Sequence, residues 1–161
     1  MTSDKQALPL YQGKVLPEWI DYNGHMNVAF YVLAFDKGTD ALLEQLGMDE
    51  AYREREQCSV FTLEGHVNYL RELRLGEPFA LTLQLLDYDA KRVHYFQHMY
   101  HAEQGFLAAT TELIILHMDM RQRRSSPMPA TVQAKLAALW EQQKTLPKPV
   151  QAGSVIGIRK K

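Results

Sequence analysis

A short polar stretch near the N-terminus carries residue types that acyl chemistry requires. Asp21, Asn23, His25 and Asn27 alternate along this stretch, and an apolar helical pattern begins directly after them at Val28. A carboxylate or an imidazole can activate water or attack a carbonyl carbon, and side-chain amides can orient the reacting groups. The stretch therefore predicts a site at which a carbonyl group is attacked.

The start of the helix that follows predicts a second component, an oxyanion site. The first N–H groups of a helix have no intrahelical partner, and the helix dipole is positive at this end. Asn27 is a favoured N-cap residue, and Gly24 lets a ligand approach the main chain. The N–H groups of Val28 and Ala29 are therefore expected to stabilise an oxyanion. The alternative is an ordinary capped loop in which Asp21 only forms a turn.

Hydrophobic periodicity predicts the elements that position this stretch. A short strand over residues 10–16 ends at Pro17, and a long helix extends over residues 28–46. One apolar stripe marks that helix: Val28, Val32, Phe35, Thr39, Leu42 and Leu46. Alternating patterns then predict four antiparallel strands within residues 58–118. The fold class is therefore α+β, an antiparallel sheet wrapped around one long central helix.

The first of these four strands carries a second group of candidate site residues. Thr62, Glu64, His66 and Asn68 share one side if the strand keeps strict alternation, and Phe61, Leu63, Val67 and Tyr69 share the other. A row of polar side chains needs hydrogen-bond partners if it is buried. This side of the strand is therefore either solvated or part of a site.

Three histidines, His94, His98 and His101, would share one face of a helix and could bind zinc there. Their neighbours, which include Tyr95 and Phe96, favour a strand instead. In a strand His94 and His98 share a side and His101 points away, which separates the ligands. The sequence therefore predicts no metal site.

Composition limits the class of protein. The chain has 161 residues, enough for one domain with a sizeable core. The formal net charge of −1 gives no global field that would attract nucleic acid or an anionic membrane. The single cysteine, Cys58, rules out an internal disulfide. Because no signal peptide and no membrane-spanning stretch is evident, we expect a cytoplasmic protein.

The C-terminal part has a different character. Leu136, Leu139 and Trp140 predict a short amphipathic helix after Pro129. Residues 145–161 are rich in Pro, Gly and basic residues, which is typical of a mobile tail. We therefore expect a main domain over residues 8–130, followed by a helix and tail over residues 131–161.

Several motifs resemble a known family. The segment Asp21-Tyr-Asn-Gly-His-Met-Asn27, the long helix and the strand Val67-Asn-Tyr-Leu-Arg-Glu-Leu73 resemble hotdog-fold acyl-CoA thioesterases of the 4-hydroxybenzoyl-CoA type. The resemblance covers roughly residues 8–130. Further segments are most similar to the betainyl-CoA thioesterases of carnitine catabolism, some of which are fused to carnitine dehydrogenase: residues 64–72, 84–87, 91–94 and 107–112.

The resemblance implies hydrolysis of a short or polar acyl-CoA to free acid and CoA, in a homodimer or homotetramer whose sites lie between subunits. It implies no cofactor, since CoA is part of the substrate. Many relatives carry a catalytic acid five residues before the Gly, where this sequence has Trp19. Asp21 or Glu64 is then the acting acid, and His25, His66 and Asn27 are expected to assist.

The expected binding residues complete the site. The acyl-group candidates are Trp19, Tyr22, Asn23, Gly24, Val28, Ala29 and Tyr69. Aromatic faces would suit a trimethylammonium acyl group. The candidates for the CoA phosphates are Arg92, Arg121, Arg123 and Arg124. Two alternatives stay open: a non-catalytic acyl-CoA-binding hotdog module, and a hotdog dehydratase, which usually has a different arrangement of histidine and acid.

Overall fold

The computed structural model describes residues 7–161 and contains one antiparallel sheet with a long helix packed on one face. The strands are β1 (Leu8–Lys14), β2 (Cys58–Tyr69), β3 (Pro78–Tyr88), β4 (Arg92–His101), β5 (Leu107–Asp119) and β6 (Arg124–Ser125). The helices are α1 (Val28–Leu46), α2 (Glu50–Glu56) and α3 (Ala130–Gln143), with a 3-10 turn at Pro17–Trp19. The sheet order is β1-β3-β4-β5-β2, and β6 pairs with β5. The predicted α+β class is confirmed.

Helix α1 packs on one face of the sheet, which we call the inner face, and contributes residues to two apolar clusters there. Leu42, Leu43 and Leu46 pack in one cluster, and Tyr31 and Phe35 pack in the other. The predicted stripe is correct from Phe35 onwards. It is wrong at the start of the helix, where Val28 and Val32 are 53% and 49% exposed and Tyr31 and Ala34 are buried instead.

Buried polar contacts fix α1 against the sheet. The Gln97 side-chain amide donates to the Phe35 carbonyl at 3.1 Å and to Thr39 Oγ1 at 3.2 Å. Thr39 Oγ1 also lies 2.7 Å from the hydroxyl of Tyr95. Because buried polar groups are costly without partners, these bonds favour one position of the helix. By fixing the helix, these hydrogen bonds also fix where its N-terminus lies.

Strand β2 contains a β-bulge between Thr62 and Glu64. The bulge interrupts the strict alternation that the sequence predicted. Cys58 and Val60 therefore pack against the inner cluster, whereas Phe61 and Leu63 are exposed. The predicted grouping of Phe61 and Leu63 with Val67 and Tyr69 is wrong for this reason.

The C-terminal segment crosses the outer face of the sheet, which is the face turned away from α1. We call residues 144–154 the strap. Gln84 Nε2 donates to the Pro147 carbonyl at 3.1 Å, and the Gly153 N–H donates to Glu112 Oε1 at 2.6 Å. Directly before the strap, at the end of α3, the Gln143 amide bonds Leu83 O and Leu85 N, at 3.0 and 2.7 Å. This differs from the expected mobile tail, because these contacts join residues about 40 to 60 positions apart.

The helices within residues 7–161 all lack the combination of length and apolar character that a membrane span requires. The longest of them in this part of the chain, α1, carries charged residues such as Asp36, Lys37 and Asp40 on its exposed side. The cytoplasmic location expected from the sequence stays a prediction.

Candidate active site

The loop before α1 is held in a fixed shape by its own backbone. Ile20 and Met26 form an antiparallel bridge, and the Asn27 N–H donates to the Trp19 carbonyl at 2.8 Å. At the tip, Gly24 has a φ of 80°, a conformation that favours glycine. The Met26 N–H reaches across to the Leu73 carbonyl at 2.8 Å and ties the loop to the segment after β2.

The Asp21 carboxylate accepts one hydrogen bond on each oxygen. The Asn23 N–H lies 2.8 Å from Oδ1, and Asn27 Nδ2 lies 2.9 Å from Oδ2. The Asn23 N–H and then the Asn27 amide lower the pKa of Asp21, and nearby His25 lowers it further. Donors aimed at a carboxylate favour its charged form. Asp21 is therefore an ionised group at neutral pH.

Asn27 connects this carboxylate to the helix. Its Oδ1 accepts the Ala29 N–H at 3.0 Å, which is the N-cap bond that the sequence predicted. The Ala29 N–H is consequently occupied, and the expectation that it binds a carbonyl oxygen needs correction. The Val28 N–H has no partner among residues 7–161, and the Val28 side chain is half exposed. One helix N–H is thus open beside Asp21.

The aromatic candidates occupy different positions. Trp19 is only 5% exposed and stacks on Phe30 at a centroid distance of 5.6 Å, so it belongs to the core rather than to a binding surface. Tyr22 is 96% exposed on the loop. Tyr69 is half exposed, and its hydroxyl donates to the Val28 carbonyl at 3.2 Å. Its ring meets the buried Tyr31 edge-on at 5.3 Å.

Glu72 is a neighbour of the loop that sequence reasoning missed. Its carboxylate lies 3.9 Å from His25 Nε2 and bonds Arg74 at 2.8 Å. The Arg74 hydrogen bond lowers the pKa of Glu72. His25 Nδ1 is 3.0 Å from the Met26 carbonyl, which orients the ring. Only the folded chain brings residues 25 and 72 together, and no local pattern at Glu72 indicated this.

Glu64 and His66 do not lie beside Asp21 within one chain. Glu64 pairs with Ile114 and His66 with Glu112, and both line a cleft on the outer face of the sheet. Asp21 precedes α1, which packs on the inner face. The structure therefore separates the two acids that the sequence left as alternatives.

The candidate CoA arginines are also remote from the loop. Arg92 bonds Asp89 at 2.8 and 2.5 Å. Arg121, Arg123 and Arg124 follow Asp119 at one end of β5, whereas Ala109 at the other end pairs with Tyr69. At 3.4 Å per residue the part of β5 from Ala109 to Asp119 is about 34 Å long. These arginines therefore cannot serve the Asp21 loop of their own chain.

The three histidines lie on β4 as expected for a strand. His94 Nε2 is 2.7 Å from Glu112 Oε2. His101 is buried, and its Nδ1 accepts the N–H groups of Glu103 and Gln104 at 3.2 and 3.0 Å. Among residues 7–161, no three His, Cys, Asp or Glu side chains are placed to hold a metal ion.

Comparison with known proteins decides the family. Residues 15–136 match the family model of the thioesterase-like superfamily. The chain belongs to this superfamily. The expected hotdog fold and the expected acyl-CoA thioesterase family are thereby confirmed.

Individual members of the superfamily are similar over nearly the whole chain. A betainyl-CoA thioesterase from Pseudomonas aeruginosa is 41% identical over 95% of this chain and 96% of its own. An L-carnitine dehydrogenase/betainyl-CoA thioesterase from Rhizobium meliloti is 40% identical over 95% of this chain but only 31% of its own length. A hypothetical protein from Staphylococcus aureus, solved in complex with CoA, superposes with a TM-score of 0.89 at 34% identity, covering 95% of this chain and 96% of that one.

Proposed function

We propose that this thioesterase uses the ionised Asp21 carboxylate as its general base or nucleophile and the start of α1 as its oxyanion site. The observation that carries the proposal is the double contact of Asn27. One amide group holds the Asp21 carboxylate and caps α1, which leaves the Val28 N–H open beside an ionised acid. This arrangement suits attack on a carbonyl carbon followed by charge on its oxygen.

The proposed reaction needs water and no cofactor. The thioester oxygen accepts the Val28 N–H, which polarises the carbonyl bond. In one route the Asp21 carboxylate takes a proton from a water molecule while the oxygen of that water bonds to the acyl carbon. In the other route the carboxylate itself bonds to the acyl carbon, and water afterwards hydrolyses the acyl-enzyme intermediate. The C–S bond breaks, and the CoA sulfur leaves with the electron pair and is then protonated. The products are a free acid and CoA.

The substrate we propose is a short acyl-CoA with a trimethylammonium group, as in betainyl-CoA. The support is the similarity to betainyl-CoA thioesterases over nearly the full chain. Quaternary cations are attracted by aromatic faces and by carboxylates. Tyr22 is exposed on the loop, Tyr69 is half exposed against the start of α1, and Glu72 provides a carboxylate beside His25 of the loop. Trp19 is buried and does not contribute to this pocket.

Thiol release tests this function. Purified protein should release CoA from betainyl-CoA faster than from acetyl-CoA and butyryl-CoA, and Asp21→Asn should release almost none. Asp40→Asn, an exposed carboxylate on α1, is the matched control and should retain full rate. Binding of acyl-CoA with no thiol release from any substrate would instead support a non-catalytic binding module.

We further propose a homodimer formed through strand β2. This twelve-residue strand lies at the end of the sheet order and has only one strand neighbour among the described residues. Unpaired strand edges are prone to pair with another chain. Exposed apolar side chains surround this edge and the start of α1: Phe61, Leu63, Tyr69, Leu70, Val28 and Val32. A second copy would cover them.

In a dimer of this kind, the arginines that lie far from the Asp21 loop of their own chain would lie near the Asp21 loop of the partner. Antiparallel pairing of β2 with its copy about a twofold axis places the Cys58 end of one strand beside the Tyr69 end of the other. Arg123 and Arg124 lie at the Cys58 end, because Cys58 pairs with Asp119 and Asp119 with Arg124. They would thus approach the partner's acyl site, where they suit the CoA phosphates.

Subunit complementation tests this arrangement. Asp21→Asn protein and Arg123→Glu/Arg124→Glu protein should each be nearly inactive. Mixed by unfolding and refolding, they should recover about a quarter of the wild-type activity, since half of the dimers are mixed and each mixed dimer has one intact site. If the arginines act within their own chain, mixing recovers nothing.

A further inference from the structure

A cleft on the outer face of the sheet lies apart from the Asp21 loop. Its volume is about 370 Å³. Ile114 lies at its centre, since it pairs with Glu64 on β2 and with His94 on β4. Other residues complete the walls: His66, Glu112 and Gly153 of the strap. The folded strap is therefore part of the cleft.

The charge of this cleft is negative. Glu64 and Glu112 line it, and the described residues that line it include no Lys or Arg. Burial raises the pKa of Glu112, but the hydrogen bonds from Gly153 and His94 outweigh burial and keep the pKa below its usual value. Lys148 also favours the charged form, because its ammonium lies next to Gly153 at the edge of this cleft, and the side chain itself lines a neighbouring cleft. The cleft thus holds a fixed carboxylate at neutral pH.

A negatively charged cleft suits a cation, and the volume and lining residues of this cleft indicate which kind of cation fits. The side chains are too dispersed to hold a metal ion, because no described group of three ligating residues is suitably placed. The volume lies in the range of small-molecule pockets. The described residues that line the cleft include no Trp, Tyr or Phe, whose ring faces are what quaternary ammonium groups prefer. Carboxylate oxygens and imidazole nitrogens instead accept hydrogen bonds, and Ile114 offers an apolar floor.

We propose that this outer-face cleft binds a protonated alkylamine. The ammonium group donates hydrogen bonds to Glu64 and to the Glu112–His94 pair, and the alkyl part lies on Ile114. The site is separate from the acyl site and does not depend on the thioesterase reaction. It differs from the acyl site in chemistry as well, because a trimethylammonium group has no N–H to donate.

The test is a titration of the full-length, nitrogen-15-labelled protein with n-butylamine at neutral pH. Saturable shifts of the Gly153 and Ile114 amide signals are expected. Tetramethylammonium should bind at least about tenfold more weakly, because it cannot form the charge-assisted hydrogen bonds. n-Butanol, which lacks the charge, should be similarly weak. Absence of saturable shifts with n-butylamine, or equal affinity for tetramethylammonium, would overturn the proposal.

Two variants with a matched control localise the binding. Ile114→Lys places a tethered ammonium in the cleft and should abolish binding of n-butylamine. Glu64→Gln changes an exposed side chain and should weaken binding at least about fivefold, whether or not Ile114→Lys folds. Glu50→Gln on α2 removes an equally exposed carboxylate elsewhere and should leave binding unchanged. Unaltered affinity in Glu64→Gln would refute the assignment.

Discussion

Two carboxylates of this protein, Asp21 and Glu112, are both held in their charged form, but by different means. Asp21 is held by Asn23 and Asn27, which lie two and six residues away in the sequence. Glu112 is held by His94 and Gly153, which lie 18 and 41 residues away. The first site is assembled by one loop, whereas the second requires the sheet and the strap to be in place.

Because the two carboxylates are held by different parts of the chain, we expect them to affect different properties of the protein. Asp21 lies beside an open helix N–H, and in the proposed reaction its contacts would orient the group that attacks the thioester. Glu112 has both oxygens bonded to remote parts of the chain, so its contacts also anchor the strap. We expect changes at the loop to affect activity most, and changes under the strap to affect stability most.

The largest effect is expected from Asp21→Asn. This change removes the charge and the basic oxygen, and kcat/KM should fall by about 10³-fold, within the usual range for loss of a general base. The melting temperature should change little, because Asp21 is near the surface. Steady-state kinetics and calorimetry check both outcomes. A residual kcat/KM above one tenth of wild type would contradict the assignment of Asp21.

A pair of changes at Asn27 separates its two contacts. Ser is a good N-cap but has no amide to hold Asp21, whereas Ala supports neither contact. Both variants should lose about tenfold in kcat/KM through the misplaced carboxylate. Only Asn27→Ala should also lose about 1 kcal/mol in the free energy of unfolding. Equal stability of the two variants would show that the cap bond to Ala29 is not significant.

The loss of kcat/KM at low pH, the acid limb of the pH profile, is a third test of the role of Asp21. The pKa of Asp21 is lowered in the folded protein, so its carboxylate stays ionised below the ordinary Asp pKa of about 3.9. Loss of kcat/KM on acidification should therefore begin below about pH 4. In Asn27→Ser one lowering contact is gone, and the limb should move to higher pH. A limb that stays in place would mean that another group titrates.

Among changes at the strap and its anchor, the larger effect is expected from Gln143→Leu, at the end of α3 directly before the strap. The buried Gln143 amide bonds Leu83 O and Leu85 N, and Leu would leave both backbone groups without these partners. The free energy of unfolding should fall by about 2 kcal/mol. kcat/KM should stay within twofold of wild type at a temperature where both proteins are folded. Urea titration followed by kinetics measures the two quantities.

The smallest effect is expected from Glu112→Gln, and it should depend on pH. The pKa of Glu112 is lower in the folded protein than in the unfolded chain. The charge of Glu112 therefore contributes fully to the free energy of unfolding above the unfolded pKa of about 4.3, and this contribution is lost as pH falls through the folded pKa. The variant should be less stable than wild type by about 1 kcal/mol at neutral pH, and the gap should close in acid. A gap that does not change with pH would indicate a purely steric effect.

Local signals in the sequence predicted the elements and the acyl loop. The N-cap at Asn27, the range of the long helix over residues 28–46 and the order of helix and strands are short-range features, and the structure confirms them. The contacts of Glu112 could not be predicted in this way, because residues 94 and 153 become its neighbours only through sheet pairing and the path of the strap.

Other errors have equally specific causes. The start of α1 buries Tyr31 and Ala34 and exposes Val28 and Val32, which the proposed second copy would cover. Trp19 was expected at the acyl pocket, but its ring fills the core against Phe30 and Phe79. Glu64 was the alternative acid to Asp21 because it stands in a row of polar side chains, but that row does not reveal that Glu64 lies on the outer face of the sheet, away from the Asp21 of its own chain.

The β-bulge of β2 has a consequence for insertions and deletions. Because one extra residue at Leu63 changes which side chains point inward, the two halves of the strand have opposite parity. Thr62 lies opposite Ile115 and Glu64 lies opposite Ile114, so deleting Leu63 would leave a regular strand in which Thr62 keeps the inner side and Glu64 keeps the outer side. A protein shorter by this single residue should still fold, whereas deleting Asn68 would bring Val67 and Tyr69 together and turn one of them away from the interior.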